Sequence, residues 1–133
     1  MSGKRPVWID ERDVLAVHDR LLALHGSAPG IRDHGLLESA LARPRQHYSY
    51  AEGVDIIDMA ALYTIAIVRN HPFVDGNKRA GFLAGILFLE LNGFDFAAGE
   101  QAVVESVFAL AAGDLDEAGY TTWLRSNAKR RRK

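Results

Sequence analysis

The sequence predicts an all-α fold, and three observations carry that reading. Apolar residues recur at helical spacing along most of the 133 residues. Capping aspartates and glycine stops punctuate these stretches. The alternating stretch Phe94-Asp95-Phe96 is too short to read as a strand.

Asp10 can cap a first helix whose apolar positions include Val14, Val17, Leu21 and Leu24, with Gly26 as its stop. Residues 27–35, Ser-Ala-Pro-Gly-Ile-Arg-Asp-His-Gly, are rich in turn formers and read as an ordered loop or small hairpin. Leu36, Leu37, Ala40 and Leu41 mark a short helix, expected to end before Pro44. Residues 43–53, polar with Tyr48 and Tyr50, read as a loop or broken helix. Asp55, with Asp58 three residues on, opens a strong apolar helix through Ile56, Ile57, Ala60, Tyr63 and Ile67. Apolar residues on nearly every side make that helix central. A second central helix runs from about Asn77 to Leu91 and stops at Asn92-Gly93. Gln101 to Ala112 and Asp114 to Leu124 supply two more.

Composition narrows the function classes. The length suits one domain spanning 1–133, with 1–9 and 126–133 expected as flexible ends. A hydrophobic content of 48% is ordinary for a soluble globular protein. Net charge is -1, which argues against a general polyanion binder, and the basic run Lys129 to Lys133 reads as a solvated terminus. With no cysteine there is no disulfide, thiolate metal site or cysteine nucleophile. No apolar run is long enough to cross a membrane, and Met1 to Pro6 leads into no apolar signal segment. A cytoplasmic protein is expected.

The chemistry is concentrated in His71-Pro72-Phe73-Val74-Asp75-Gly76-Asn77-Lys78-Arg79, between the two central helices. An imidazole titrating near ~6.5 suits proton abstraction at neutral pH, so His71 is a general-base candidate; a helix C-cap or packing role is the alternative. Asp75 can hold Mg²⁺ beside phosphate oxygens, or act as a turn former or N-cap. Gly76 permits a left-handed turn and close approach of a phosphate. Asn77 can cap the helix or donate to phosphate. Lys78 and Arg79 stand on the first helical turn, where the dipole disfavours cations unless an anion is bound. Pro72 stiffens the loop and Phe73 anchors it in the core. No Walker loop, G-x-G-x-x-G fingerprint or kinase-type motif set accompanies it, so any nucleotide chemistry must use this loop.

This loop resembles the signature of the Fic/Doc superfamily, H-x-F-x-[DE]-G-N-G-R-x-x-R. It matches at His71, Phe73, Asp75, Gly76, Asn77 and Arg79. Lys78 replaces the second glycine and Phe82 the second arginine, departures that mark the death-on-curing (Doc) branch. Doc proper has alanine where this chain keeps Gly76. Residues 29–44 and 87–93 resemble the flanking Doc segments, so the likeness spans about Asp10 to Leu124.

The resemblance implies a compact Fic/Doc helical bundle with the motif loop between two central helices. It implies a toxin of a toxin–antitoxin system that transfers the γ-phosphate of ATP to a Ser/Thr hydroxyl of a translation factor, elongation factor Tu, and arrests translation. The alternative is a Fic-type AMP transferase. By the same resemblance His71 is the general base, Asp75 holds Mg²⁺, and Gly76, Asn77, Lys78 and Arg79 bind phosphates. Arg69 is either a helper or a surface residue. The loop from Pro29 to Gly35 matches the flap that aligns the target peptide. Ser49 to Gly53 is one residue short of the inhibitory [ST]-x-x-x-E-[GN] motif of Fic proteins, so no built-in inhibitor is expected. An antitoxin whose disordered C-terminal segment folds onto the toxin is the implied partner.

Overall fold

The computed structural model describes residues 5–132. Helix α1 (Glu11–His25) starts at a capping box in which Asp10 and Asp13 satisfy each other's backbone N–H groups, and it ends at left-handed Gly26. Its packed face is Val14, His18 and Leu21; Leu24, expected on the apolar stripe, is 68% exposed.

Helix α2 (His34–Tyr50) corrects the expectation of a short helix ending before Pro44 and a broken segment after it. A proline inside a helix removes a hydrogen bond and crowds the preceding turn, at about 3 kcal/mol or more. Tertiary contacts offset that cost. Leu37, Ala40 and Pro44 are buried. Past the proline, Tyr48 packs edge-on against Trp8 at 5.7 Å and Arg45 lies 5.1 Å from the Trp8 ring.

Helix α3 (Ile56–Asn70) is the core of the molecule. A second capping box, Asp55 with Asp58, opens it, and Arg125 pairs with both carboxylates. Residues 59–68 are buried without interruption, and α3 packs against four other helices. A helix so enclosed needs apolar residues on every side, as the sequence has.

Helix α4 (Asn77–Leu91) lies against α3 at very close range. Thr64 donates its hydroxyl hydrogen to the Gly81 carbonyl at 2.8 Å. A Cβ at Gly85 would collide with the Thr64 hydroxyl and come within 2.8 Å of the Ala60 carbonyl oxygen. A Cβ at Gly81 would stand 3.0 Å from Val68 Cγ2. The two backbones touch because α4 presents no side chain at these positions.

Helices α5 (Glu100–Ala112) and α6 (Glu117–Ser126) complete the bundle. The three residues too short to read as a strand do form one. Strand β1 (Phe94–Phe96) pairs antiparallel with β2 (Ala128–Arg130), Phe94 opposite Arg130 and Phe96 opposite Ala128. The ends expected to be free are therefore tied down where they are described. Arg131 bonds Asp95 at 3.0 Å and the Phe94 carbonyl at 3.1 Å. At the front, Ile9 is buried and Val7 pairs with the Asn92 side chain. Residues 1–4 and 133 lie outside the described residues. Among those described, no helix is long and apolar enough to cross a membrane.

The glycine contact yields a test. Gly85→Ala must force α3 and α4 apart or displace Thr64, and overpacking of this kind costs about 1–3 kcal/mol. Urea unfolding should show that loss, although alanine is the better helix former on an exposed face.

Candidate active site

The α3–α4 turn sets the position of every candidate residue. His71 caps α3 in the left-handed conformation (φ 56°, ψ 52°), and among the described residues it is the sole non-glycine with positive φ. Its N–H donates to the Ile67 carbonyl at 3.0 Å. Such a backbone costs about 1–3 kcal/mol and persists only where surrounding contacts enforce it. Arg32 supplies those contacts. Its Nε donates to the His71 carbonyl at 2.7 Å and its terminal nitrogen to the Asn70 carbonyl at 3.0 Å. A cation thus satisfies carbonyls that the end of α3 leaves open, where the dipole favours it. The His71 side chain remains exposed and lines a cleft.

The loop following His71 is held from two sides. The segment before α2 runs along it: Arg32 and Asp33 N–H groups donate to the Pro72 carbonyl at 2.6 and 3.0 Å, and Val74 N–H to the Gly30 carbonyl at 3.0 Å. Ile31 and Phe73 form a short antiparallel bridge. The turn-rich residues 27–35 are therefore an ordered loop edge beside His71, ending where α2 begins at His34. Phe73 is fully buried.

Asn77 differs from its expected phosphate-binding role. Its side chain is 3% exposed and pairs twice with Phe73, accepting from the N–H at 2.9 Å and donating to the carbonyl at 3.0 Å. The side chain closes the loop. Gly76, the N-cap, is left-handed (φ 80°) and carries no side-chain cap. The first-turn N–H groups of α4 are thus without a capping side chain, the arrangement that binds anions.

The cations fit that reading. Arg79 is exposed, and the Lys78 ammonium lies 5.1 Å from the Phe108 ring centroid on α5. Among the described residues neither pairs with a carboxylate. His71, Asp75, Gly76, Asn77, Lys78 and Arg79 all line one cleft of about 580 Å³, with Phe82 on its wall. The rest of the lining is mostly apolar, with Leu21 from α1, Leu83 from α4 and Val103, Val104, Val107 and Phe108 from α5, joined by His25 and Glu100.

Asp75 is exposed, and one carboxylate oxygen takes the Gly76 N–H at 2.8 Å. Its other oxygen is 3.4 Å from Ala28 N. Free oxygen lone pairs on a carboxylate that lines the cleft suit a hard cation such as Mg²⁺. The cluster Glu11, His34 and Glu38 also gathers ligand atoms within 4.8 Å, but it does not line the cleft. There Nε2 of His34 sits 2.9 Å from Glu11, whose hydrogen bond raises the His34 pKa above the ordinary 6.5. Arg69 points away from the motif cluster; it and Arg43 both bond Glu117 of α6 at 2.8 Å.

Two contacts that hold the motif loop escaped the sequence reading. Arg32 has no local signal for capping a helix 38 residues away. His18 had one: it shares a helical face with Val14 and Leu21, and it is buried there. Asn77→Ala should leave the buried Phe73 N–H and carbonyl unpaired, at about 1–3 kcal/mol for each group left without a partner. Chemical denaturation checks this, and a change under about 0.5 kcal/mol, typical of an uninvolved surface position, would contradict it.

The model of the Fic/DOC family matches residues 8–89. The chain is 34% identical over 85 residues to the protein named protein kinase doc of Escherichia phage P1, covering 64% of this chain and 68% of that protein. It is 39% identical over 95 residues to toxin Doc of Mycolicibacterium smegmatis, covering 68% of each. The match contains the whole His71–Arg79 loop and the segments that hold it, and the chain belongs to the Fic/Doc family.

Proposed function

We propose that this protein is a toxin of the Doc type, transferring the γ-phosphate of ATP to a Ser or Thr hydroxyl of a translation factor, with elongation factor Tu the expected target. The observation that carries the reading is Lys78. It stands where the Fic signature has its second glycine, and its ammonium lies 5.1 Å from the Phe108 ring on the cleft wall. A glycine there would leave room for phosphates to lie along the start of α4. Lys78 occupies that room with a charge, which favours ATP entering with its γ-phosphate toward the target. Phe82, on the cleft wall, supplies no second arginine clamp.

The chemistry follows from the residues. The target hydroxyl gives its proton to His71 as its oxygen bonds to the γ-phosphorus. The bond from that phosphorus to the bridging oxygen breaks, and ADP leaves. Lys78, Arg79 and the first-turn N–H groups of α4 stabilise the charge that gathers on the phosphoryl oxygens. Asp75 is the residue that would hold Mg²⁺, which neutralises phosphate charge when bound. The loop edge from Gly30 to Asp33, already engaged with residues 72–74, is the place for a target segment to lie beside His71.

The relatives named as a toxin and a kinase support both parts of the reading. An antitoxin partner fits as well. Leu83, Val104 and Phe108 are exposed apolar residues lining the cleft, where an amphipathic segment folding on contact could cover them and the site together.

Purified protein with Mg²⁺, a bacterial lysate and ATP labelled at either the α- or γ-phosphate tests this. Label from γ alone, on a band the size of elongation factor Tu, is expected. His71→Ala should lower the rate by about 10²–10⁴-fold and relieve growth arrest, and Lys78→Gly should lose the transfer. Label from α would instead identify an AMP transferase, consistent with the retained Gly76. Growth arrest that survives His71→Ala would mean toxicity by binding.

A further inference from the structure

We infer that His18, on α1, is a positioning residue for the site: its ring holds the Asp75–Gly76 turn in the geometry that phosphate and metal binding require. The inference rests on the functional reading above for its kinetic consequence, but its structural content stands apart from it.

Three contacts from one buried ring converge on the motif loop. His18 is 2% exposed. Its Nε2 lies 2.8 Å from the Asp75 carbonyl oxygen. Its face stacks on Phe73, with ring centres 3.9 Å apart and planes within 9°. Its edge backs Gly76, where a Cβ would stand 3.6 Å from Nε2 and 3.7 Å from Cδ2. A carbonyl oxygen only accepts, so Nε2 must carry a hydrogen and donate it. The tautomer is therefore fixed by the loop.

This bond acts on the Asp75 carbonyl, which no other hydrogen bond among the described residues engages. Arg32 holds the carbonyls of Asn70 and His71. The segment before α2 holds residues 72 and 74, and Asn77 holds Phe73. The Asp75 carbonyl has its partner in His18. Asp75 presents the carboxylate assigned to Mg²⁺, and Gly76 sets where the first N–H groups of α4 point. A rotation of that peptide would move both. His18 touches neither phosphate nor the attacking hydroxyl, so its action is through Asp75 and Gly76. A merely structural histidine needs neither the Nε2–H tautomer nor a donor aimed at a motif carbonyl.

The test begins with the wild-type protein. Imidazole ¹⁵N NMR should show His18 with hydrogen on Nε2. The Nδ1–H tautomer would overturn the inference without any variant. His18→Phe keeps an aromatic ring on Phe73 and deletes the donor; His18→Gln keeps a donor and deletes the ring. In His18→Phe the amides of residues 76–79 should exchange faster with solvent. Phosphotransfer should fall about 10- to 100-fold, the scale of a misplaced catalytic group, in kcat more than in KM for the target, with a higher Mg²⁺ requirement. His18→Gln should recover much of that loss. A folded His18→Phe protein with unchanged exchange and rate would reduce His18 to core packing. Faster exchange in the variant, with no label transferred even by wild type, would support the positioning role and sink the phosphotransfer reading instead.

Discussion

The contact between α3 and α4 is the constraint from which the rest follows. Gly81 and Gly85 bring the α4 backbone onto Ala60 and Thr64 of α3, closer than any side chain would permit. The loop joining them then spans only residues 71–76. The end of one buried helix and the start of the next are fixed together, and with them the distance between His71 and the first turn of α4. Rigidity here is useful because proton transfer and phosphate binding both depend on placement to within about 0.5 Å.

The loop itself is held through its backbone, which leaves its chemically useful side chains free. Arg32, Asn77, His18 and the residues before α2 each satisfy particular carbonyl or N–H groups between Asn70 and Asp75. Those bonds offset the strained left-handed backbone of His71. The imidazole of His71, the carboxylate of Asp75 and the cations of Lys78 and Arg79 are left facing one cleft. Two cations on the first turn of a helix are poorly placed by the helix dipole, and among the described residues no carboxylate answers them. Stability alone does not account for such a choice, and the proposed phosphate-binding role would.

Much of this was legible in the sequence, where the signal was local. The N-caps at Asp10 and Asp55, the all-round apolar character of α3, the left-handed Gly76 and the placement of Lys78 and Arg79 each depend on neighbours within a turn. The failures have distant partners. Pro44 reads as a stop until the packing of Leu37 and Ala40 and the contacts to Trp8 are known. Phe94 to Phe96 becomes a strand because residues 128–130 return to pair with it. Arg69, read as either a helper or a surface residue, pairs with Glu117 of α6, a partner the sequence alone does not indicate. Asn77 is the instructive case: its place in the motif suggests a cap or a phosphate donor, whereas its buried side chain pairs with Phe73.

The anion cradle at the start of α4 is most directly tested by adding Mg²⁺ and a non-hydrolysable ATP analogue to ¹⁵N-labelled protein and following the amide signals. Saturable shifts centred on residues 75–80, with His71 affected alongside, are the expected result, and they should weaken when Lys78 and Arg79 are replaced together. Shifts centred elsewhere, or none at millimolar nucleotide, would contradict the proposal that this loop is where the phosphates bind.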